Sequence, residues 1–220
     1  MCVEPKVIVR EFKNRDEWLK ARTTIGGSDA STILGMNPYK TNQQLWEEKK
    51  NGALPKDLSD VPYVVYGTNA EKFLRSLFAL DYPQYEVFYE ENNMWTNMDY
   101  PWAHYSADGW LRDKNGRLGI LEIKTTNILK SSQKENWKDK IPENYYIQCL
   151  HGLAVMEADF VVLKAQLKSE FDGEIYLQTK HYHIERSDVQ EDIDYLIEEE
   201  RKFYQSMIDG NKPSLILPML

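Results

Sequence analysis

The sequence predicts a mixed α/β domain, of the α+β kind, with a central sheet flanked by helices. Helical patterns come first along the chain, strand patterns fill the middle, and a helix, a strand pair and a last helix follow. The 220 residues suffice for one domain with a substantial core, and 42% hydrophobic with 28% charged residues is typical of a globular protein. We therefore interpret residues 1–220 as a single domain.

Three short helices are predicted near the amino terminus. The first starts at Asn14, which forms a capping-box pattern with Glu17. The second starts at Ser28, a good N-cap residue, and the third starts at Thr41. Their predicted ranges are 14–22, 28–34 and 41–52, and a polar loop covers 53–62.

The rest of the chain alternates between strand and helix signals. A helix over 68–80 is indicated by an apolar stripe at positions 70, 73, 74, 77 and 78. Strands are predicted at 85–91, 103–113 and 117–126, followed by a helix within 143–156. Two further strands form a hairpin joined near Asp172-Gly173. The last helix runs from Ser187, with Gln190 completing a capping box, to about Ile208.

Composition excludes several classes of protein. No apolar run approaches the roughly 20 residues that cross a membrane, and the first residues lack the layout of a signal peptide. Cys2 and Cys149 are too few for a disulfide framework or a four-cysteine iron–sulfur cluster. We therefore expect a reduced, intracellular protein. A net charge of −8 argues against a wide basic surface for nucleic acid, but it permits DNA binding in a local groove.

The strand pair around Asn115-Gly116 is the most informative feature. A three-residue loop ending in Gly116 places Asp108 opposite Glu122. Side chains two apart share a strand face, so Lys124 and Ile120 point the same way as Glu122, and Ile123 points to the other face. Two adjacent carboxylates repel each other, and a hard dication such as Mg²⁺ relieves that repulsion. The spacing alone leaves two interpretations open, a metal site or a surface salt bridge between Glu122 and Lys124. The four histidines have no partners at metal-ligand spacing, and we interpret Cys149 as a core residue.

The stretch "TIGGSDAS" (24–31) also allows two interpretations. Gly26 and Gly27 permit a tight turn into a helix, which is an ordinary helix entry. The same glycines would let the backbone approach a phosphate group, with Ser28 as a donor and Arg22 just upstream.

Five segments, in this order, resemble the PD-(D/E)XK nuclease superfamily and, more narrowly, the YqaJ-like phage recombination exonucleases that include phage lambda exonuclease. "YSADG" followed by "ILEIKTT" resembles the D-x(n)-E-x-K core. "RTTIGGSDASTILGMNPYKT", "YGTNAEKFLRSLF", "YYIQCLHGLAVM" and the closing helix 187–208 are similar to the other family elements. The resemblance covers about residues 10 to 208. It implies a restriction-endonuclease-like fold with a central mixed sheet and a catalytic core over 66–186.

The resemblance implies a role for each core residue. Asp108 and Glu122 would be the main metal ligands, and the main-chain carbonyl of Ile123 and the Glu71 side chain would complete the set. Lys124 would position the attacking water and polarise the scissile phosphate. The implied cofactor is Mg²⁺, or Mn²⁺ in its place, with two ions in each site.

The resemblance also implies a pocket for a terminal 5′-phosphate, contributed largely by the helices over 14–50. The residues at the family's pocket positions are Arg22, Ser28, Ser106 and Gln148. The spacing after Arg22 leaves Thr24 as an alternative to Ser28.

The implied activity is a metal-dependent 5′→3′ exodeoxyribonuclease on linear double-stranded DNA. It would release mononucleotides and leave 3′ single-stranded tails. The implied partners are DNA with a 5′-phosphate, a single-strand annealing protein of the RecT or lambda Beta kind, and two further copies in a ring-shaped trimer. The implied location is the cytoplasm of a bacterium or a phage-infected host, with no membrane contact. Three alternatives remain: an endonuclease of restriction or repair type, a non-catalytic module that binds DNA ends, and an interaction protein whose acidic surface binds a basic partner.

Overall fold

The protein combines seven α-helices with strands that form three sheets, in a computed structural model that describes residues 5–53, 58 and 60–218. The helices are α1 (Arg15–Ala21), α2 (Gly27–Ile33), α3 (Asn42–Lys50), α4 (Pro62–Asp81), α5 (Ser131–Glu135), α6 (Glu143–Met156) and α7 (Gln190–Asp209). The strands are β1 (Val7–Glu11), β2 (Ile25–Gly26), β3 (Glu86–Phe88), β4 (Asn93–Asn97), β5 (Ala103–His104), β6 (Trp110–Arg112), β7 (Leu118–Asn127), β8 (Phe160–Phe171) and β9 (Glu174–Glu185).

The main sheet has five strands in the order β3-β6-β7-β8-β9. Strands β7 and β8 are parallel and all other neighbours are antiparallel, so the sheet is mixed. A parallel pair needs a crossover connection, and α6 lies within the chain that joins β7 to β8. Strands β1 and β4 form an antiparallel pair, and β2 pairs in parallel with β5. The predicted fold class, a central mixed sheet with flanking helices, is confirmed.

The two faces of β7 pack against different helices. Ile120 belongs to the larger core, which includes Leu153 of α6 and Leu196 of α7. On the opposite face, Leu121 and Ile123 pack in a second cluster with Leu74 and Phe78 of α4. The alternation predicted for this strand is therefore confirmed, and it leaves β7 buried on both faces.

Both predicted hairpins form, but the strand predicted over 103–113 is divided. Ala103–His104 forms β5, which pairs with β2, and Trp110–Arg112 forms β6, which pairs with β7. The loop between β6 and β7 is closed by the Gly116 N–H, which donates to the Asp113 carbonyl at 2.9 Å. Gly116 has a φ of +80°, a left-handed conformation that favours glycine. In the β8–β9 turn, Asp172 and Gly173 have φ values of +51° and +76°. Positive φ at both central residues is typical of a two-residue hairpin turn.

Several helix boundaries differ from the predictions. Helix α2 begins at Gly27 with Gly26 as its N-cap, because Asp29 rather than Ser28 supplies the cap: its Oδ2 accepts from the Gly26 N–H at 3.0 Å. Helix α4 begins at Pro62. Proline is tolerated at the first position of a helix because a main-chain N–H there would have no acceptor within the helix.

The last helix also begins later than predicted. Residues Arg186–Asp188 form a 3₁₀ turn, and α7 begins at Gln190. The predicted capping box is wrong, because the Gln190 side chain accepts a hydrogen bond from Arg186 Nε at 3.1 Å instead of capping the helix. Cys2 and the predicted loop residues 54–57 and 59 lie outside the described residues.

A buried ion pair joins α6 to α7. His151 Nδ1 lies 2.7 Å from Glu200 Oε1, and His151 Nε2 lies 2.9 Å from the carbonyl oxygen of His104. Both side chains are fully buried. Both ring nitrogens face oxygen atoms that can accept, an arrangement that favours the doubly protonated, positively charged imidazole. Burial opposes this charge, but the attraction and hydrogen bond of Glu200 outweigh it and raise the pKa of His151.

No helix among residues 5–53, 58 and 60–218 has both the length and the apolar character needed to cross a bilayer.

Candidate active site

The register of the β6–β7 hairpin brings Asp108 beside β7. Trp110 pairs with Ile120, and the Leu121 N–H donates to the Gly109 carbonyl at 2.9 Å just outside β6. Asp108 therefore lies level with Glu122, as the sequence predicts. The N–H of Ile123 donates to Asp108 Oδ2 at 2.8 Å, which fixes the carboxylate of Asp108 against the strand.

Three side chains contact the carboxylate of Glu122, which is 1% exposed. Lys124 Nζ lies 2.5 Å from Oε1, and Gln148 Nε2 donates to the same oxygen at 2.7 Å. The hydroxyl of Tyr105 donates to the other oxygen, Oε2. The carboxylate is thus held on both of its oxygens, as a buried charge requires.

Asp108 and Lys124 influence each other's protonation. Burial and the negative charge of Glu122 raise the pKa of Asp108 well above its usual range, and Glu71 adds to this effect while Lys124 opposes it. Burial disfavours the charged form of Lys124, but Glu122 and Asp108 outweigh burial and raise the pKa of Lys124. The charged form of Lys124 is therefore favoured and the charged form of Asp108 is disfavoured.

Glu71 approaches this site from α4 but is held by an arginine. Its Oε1 lies 2.5 Å from Arg75 Nη2, one helical turn later. Arg75 Nε also donates to the main-chain carbonyl of Asp108 at 2.6 Å, and the guanidinium lies over the ring of Tyr89 at 3.4 Å. Arg75 thus ties α4 to the loop that carries Asp108.

The donor atoms of this site suit a hard divalent cation. Asp108 and Glu122 present carboxylate oxygens side by side, and the mutual repulsion that raises the pKa of Asp108 is what such a cation relieves. In the described part of the chain, no three His, Cys, Asp or Glu side chains are grouped as a metal site. The candidate cation ligands are therefore the carboxylates of Asp108 and Glu122, while the Glu71 carboxylate is turned toward Arg75.

A second cluster brings together two of the residues predicted for the phosphate pocket. The Arg22 guanidinium stacks on the ring of Trp18, 4.4 Å from its centroid. Trp18 Nε1 donates to Ser106 Oγ at 3.1 Å and to the Asn93 carbonyl at the same distance. Among the residues that the structure describes, the Arg22 guanidinium has no hydrogen-bond or ion-pair partner. Ser106 is two residues before Asp108, so this cluster adjoins the carboxylate site.

The other two predicted pocket residues are placed differently. Gln148 is turned toward Glu122, as described above. Ser28 lies in the first turn of α2 and is exposed, while the hydroxyl of Thr24 is 2.8 Å from His104 Nδ1. Of these two hydroxyl groups, that of Thr24 has a protein partner and that of Ser28 has none among the described residues.

Close packing accounts for the two glycines of the "GGSD" stretch. A Cβ on Gly26 would lie 3.0 Å from His104 Nε2. A Cβ on Gly27 would lie 3.1 Å from Gln148 Cγ and 3.1 Å from the ring of Tyr105. Both glycines have negative φ values, so tight contact rather than an unusual turn is the structural reason for them.

Sequence reasoning missed Tyr105, Arg75 and Trp18. Arg75 carried a signal, because it lies four residues after Glu71, where opposite charges pair on a helix. Tyr105 and Trp18 carried none, because their partners are distant in the chain. Cys149 is buried, as expected.

Comparisons with known proteins identify a family and a shared fold. Residues 17–159 match the YqaJ-like viral recombinase domain. The uncharacterized protein YqaJ of Bacillus subtilis (strain 168) is 31% identical over 218 residues, covering 92% of this chain and 59% of that protein. Protein D345L of African swine fever virus (strain Badajoz 1971 Vero-adapted) is 30% identical over 173 residues, covering 68% of this chain and 49% of that protein. The chain thus spans about half to three fifths of these relatives.

Solved structures share the fold. The alkaline exonuclease LHK-Exo of Laribacter hongkongensis superposes with a TM-score of 0.64 and 18% identity, covering 89% of this chain and 94% of that one. The structure of LHK-Exo in complex with dAMP gives a TM-score of 0.54 and 16% identity, covering 89% and 98%. Both superpositions show that this chain shares its fold with LHK-Exo. The family match covers more than half of the chain, which therefore belongs to the YqaJ-like viral recombinase domain family.

Proposed function

We propose that this protein is a metal-dependent nuclease that hydrolyses phosphodiester bonds in DNA. The observation that carries the proposal is the meeting of Asp108, Glu122 and Lys124 at the end of one hairpin, with Lys124 Nζ 2.5 Å from Glu122 Oε1. Two carboxylates and a lysine are the groups that phosphodiester hydrolysis needs for cation binding and for charge stabilisation. A non-catalytic module that binds DNA ends would not need all three.

Asp108 and Glu122 would hold Mg²⁺ or Mn²⁺, with the Ile123 carbonyl and Glu71 as further ligands. A bound dication would neutralise charge on the phosphate oxygens as the bond to the leaving oxygen breaks. Glu71 would first have to leave Arg75, with which it is now paired. We propose two ions per site, on the same family resemblance that assigns the ligands.

Lys124 has a role that its charge defines. Against the effect of burial, the carboxylates of Glu122 and Asp108 raise the pKa of Lys124, which favours the protonated ammonium beside the attacking water. It can donate hydrogen bonds, which orients that water and stabilises the negative charge that builds up on the phosphate. Its position over the ring of Tyr145, 5.2 Å from the centroid, further favours the cation.

We further propose that digestion starts at a 5′ end and proceeds 5′→3′ on linear duplex DNA. The support is Arg22, a guanidinium without a protein partner in the described chain, which adjoins Ser106 through Trp18. An unpaired arginine is suited to bind a phosphate in bidentate fashion. Ser28 and Gln148 would add donors, and Gln148 would have to share its amide with Glu122. Mononucleotide products, an annealing partner and a trimeric ring belong to the same proposal.

The test is digestion of linear duplex DNA that carries either a 5′-phosphate or a 5′-hydroxyl, with Mg²⁺ or with EDTA. We expect Mg²⁺-dependent release of mononucleotides, and a loss of about 10²-fold or more in Glu122→Gln. Glu174→Gln is the matched control, because Glu174 is exposed at the β8–β9 turn. Absence of cleavage with every divalent metal would favour the DNA-end-binding module.

A second pair of variants tests the end preference. Arg22→Gln should lose the preference for a 5′-phosphate, whereas Arg15→Gln should keep it. Arg15 is the matched control because it lies over the same Trp18 ring at 5.6 Å but is exposed. Cleavage of closed circular DNA, or equal digestion rates for 5′-phosphate and 5′-hydroxyl duplexes, would exclude the end-binding role of Arg22. The proposed nuclease activity would still stand.

A further inference from the structure

The hydroxyl of Tyr105 is a buried donor that the reaction itself does not require. Tyr105 and Glu122 are each 1% exposed, and the phenol donates to Glu122 Oε2. Gln148 and Lys124 both use Oε1, the other oxygen of the carboxylate. Tyr105 is therefore the contact that fixes Oε2 and, with it, the plane of the carboxylate.

The ring of Tyr105 is confined by two glycines on different helices. A Cβ on Gly152 of α6 would lie 2.8 Å from Tyr105 Cζ, and a Cβ on Gly27 of α2 would lie 3.1 Å from Tyr105 Cδ2 and Cε2. Any larger residue at either position would push against the ring. The helices thus leave a slot that the flat ring fills, with its hydroxyl directed at Glu122.

The backbone of Tyr105 is also fixed. Its N–H donates to the Trp95 carbonyl at 2.9 Å, and its carbonyl accepts from the Trp95 N–H at 2.7 Å. A reciprocal pair of hydrogen bonds at the main chain, together with a ring confined on two sides, leaves the hydroxyl little freedom. The last side-chain torsion of a glutamate, which rotates the carboxylate plane, has a broad and roughly two-fold distribution. A hydrogen-bond donor from another residue is therefore needed to select one orientation of that plane.

We propose that Tyr105 is a positioning residue that orients Glu122 for divalent-cation binding, and that Gly27 and Gly152 are small in order to seat its ring. The inference rests on the proposed function insofar as it takes Glu122 as a metal ligand. Groups that orient metal ligands by hydrogen bonding typically contribute 10- to 100-fold to metal affinity or activity when they are removed. Without the phenol, Glu122 Oε2 has no other hydrogen-bond donor in the described chain.

The experiment compares Tyr105→Phe with wild type and with Tyr182→Phe. The Tyr182 hydroxyl donates to the Trp137 carbonyl, so Tyr182→Phe removes a tyrosine hydrogen bond that does not involve Glu122. Mn²⁺ binding without DNA is measured by titration calorimetry, and kcat and KM are measured over a range of Mn²⁺ concentrations. Unfolding in urea reports stability for each variant.

We expect Tyr105→Phe to weaken Mn²⁺ binding by about 10-fold or more and to lower kcat at limiting Mn²⁺, with KM for DNA unchanged. High Mn²⁺ should restore part of kcat. Tyr182→Phe should leave Mn²⁺ affinity unchanged. Gly152→Ala, which keeps the hydroxyl but displaces the ring, is the second variant and should also weaken Mn²⁺ binding.

Three results decide between the possibilities. Mn²⁺ affinity and kcat of Tyr105→Phe within two-fold of wild type would overturn the inference, as would a wild-type protein that binds no Mn²⁺. If wild type binds Mn²⁺ through Glu122 and Tyr105→Phe weakens that binding, the inference stands even when no DNA is cleaved. In that last case only the proposed nuclease function fails.

Discussion

Removing one member of the buried His151–Glu200 pair should cost far more stability than removing both. The two side chains are fully buried and 2.7 Å apart, and Glu200 Oε2 already lacks a partner within the described chain. Breaking a buried pair leaves an uncompensated charge and costs about 3–5 kcal/mol. We therefore expect His151→Leu to lose about that much of a total stability of about 5–15 kcal/mol.

The double variant His151→Leu/Glu200→Leu removes both charges and replaces them with apolar volume. Such replacements are often neutral or stabilising, so the double variant should recover most of the loss. The matched control is His183→Leu. His183 forms a similar 2.8 Å contact with Glu185 but is exposed, and exposed pairs contribute about 0–1 kcal/mol.

The assay is urea unfolding followed by circular dichroism, at several pH values. The pKa of His151 is raised in the folded state above its usual 6.5. The stability from this group is therefore complete below about pH 6.5 and is lost as the pH rises through the raised value. This decrease of the free energy of unfolding with rising pH should be present in wild type and absent in His151→Leu. A single-variant loss below about 1 kcal/mol, or equal losses in single and double variants, would refute the charged-pair interpretation.

Three further predictions concern the fold. In Gly119→Ala, the new Cβ would lie 2.3 Å from the ring of Phe160, so we expect a loss of about 1–3 kcal/mol in urea unfolding, and no loss would contradict the packing described here. Thr41→Ala removes the cap that accepts from the Gln44 N–H at 3.2 Å, and thermal unfolding should report a loss of about 1 kcal/mol. Burial lowers the pKa of His104 to about 3. Below about pH 6.5 the unfolded chain therefore binds a proton at His104 and the folded chain does not, so the free energy of unfolding should fall as the pH falls from 6.5. His104→Gln should flatten that fall, and an unchanged pH profile would show that His104 is not its cause.

Local signals predicted the centre of the site well. The loop Lys114–Gly116 sets the register of its hairpin, and the register alone places Asp108 level with Glu122. The period of two along β7 correctly separated the face of Ile120 from that of Ile123. Turn chemistry and strand alternation act over a few residues, which is why one sequence suffices to read them.

Contacts between distant segments could not be predicted in the same way. Strand β1 pairs with β4 across more than eighty residues, and neither strand has a strong alternation of its own. The start of α2 was misplaced because Ser28 and Asp29 are both good caps, and only the structure shows that Asp29 bonds the Gly26 N–H. The roles of Gly27 and Tyr105 depend on how α2 and α6 approach each other, which is a property of tertiary packing.

The hydrogen bond from the Ile123 amide to Asp108 has a spectroscopic consequence. The chemical shift of an amide proton that donates to a carboxylate follows the charge and occupancy of that carboxylate. A single backbone signal in a nitrogen–proton NMR spectrum should therefore report the ionisation of Asp108 and the arrival of a cation at it. This probe needs no substitution in the site, because the reporter is the main chain of the strand that carries Glu122 and Lys124.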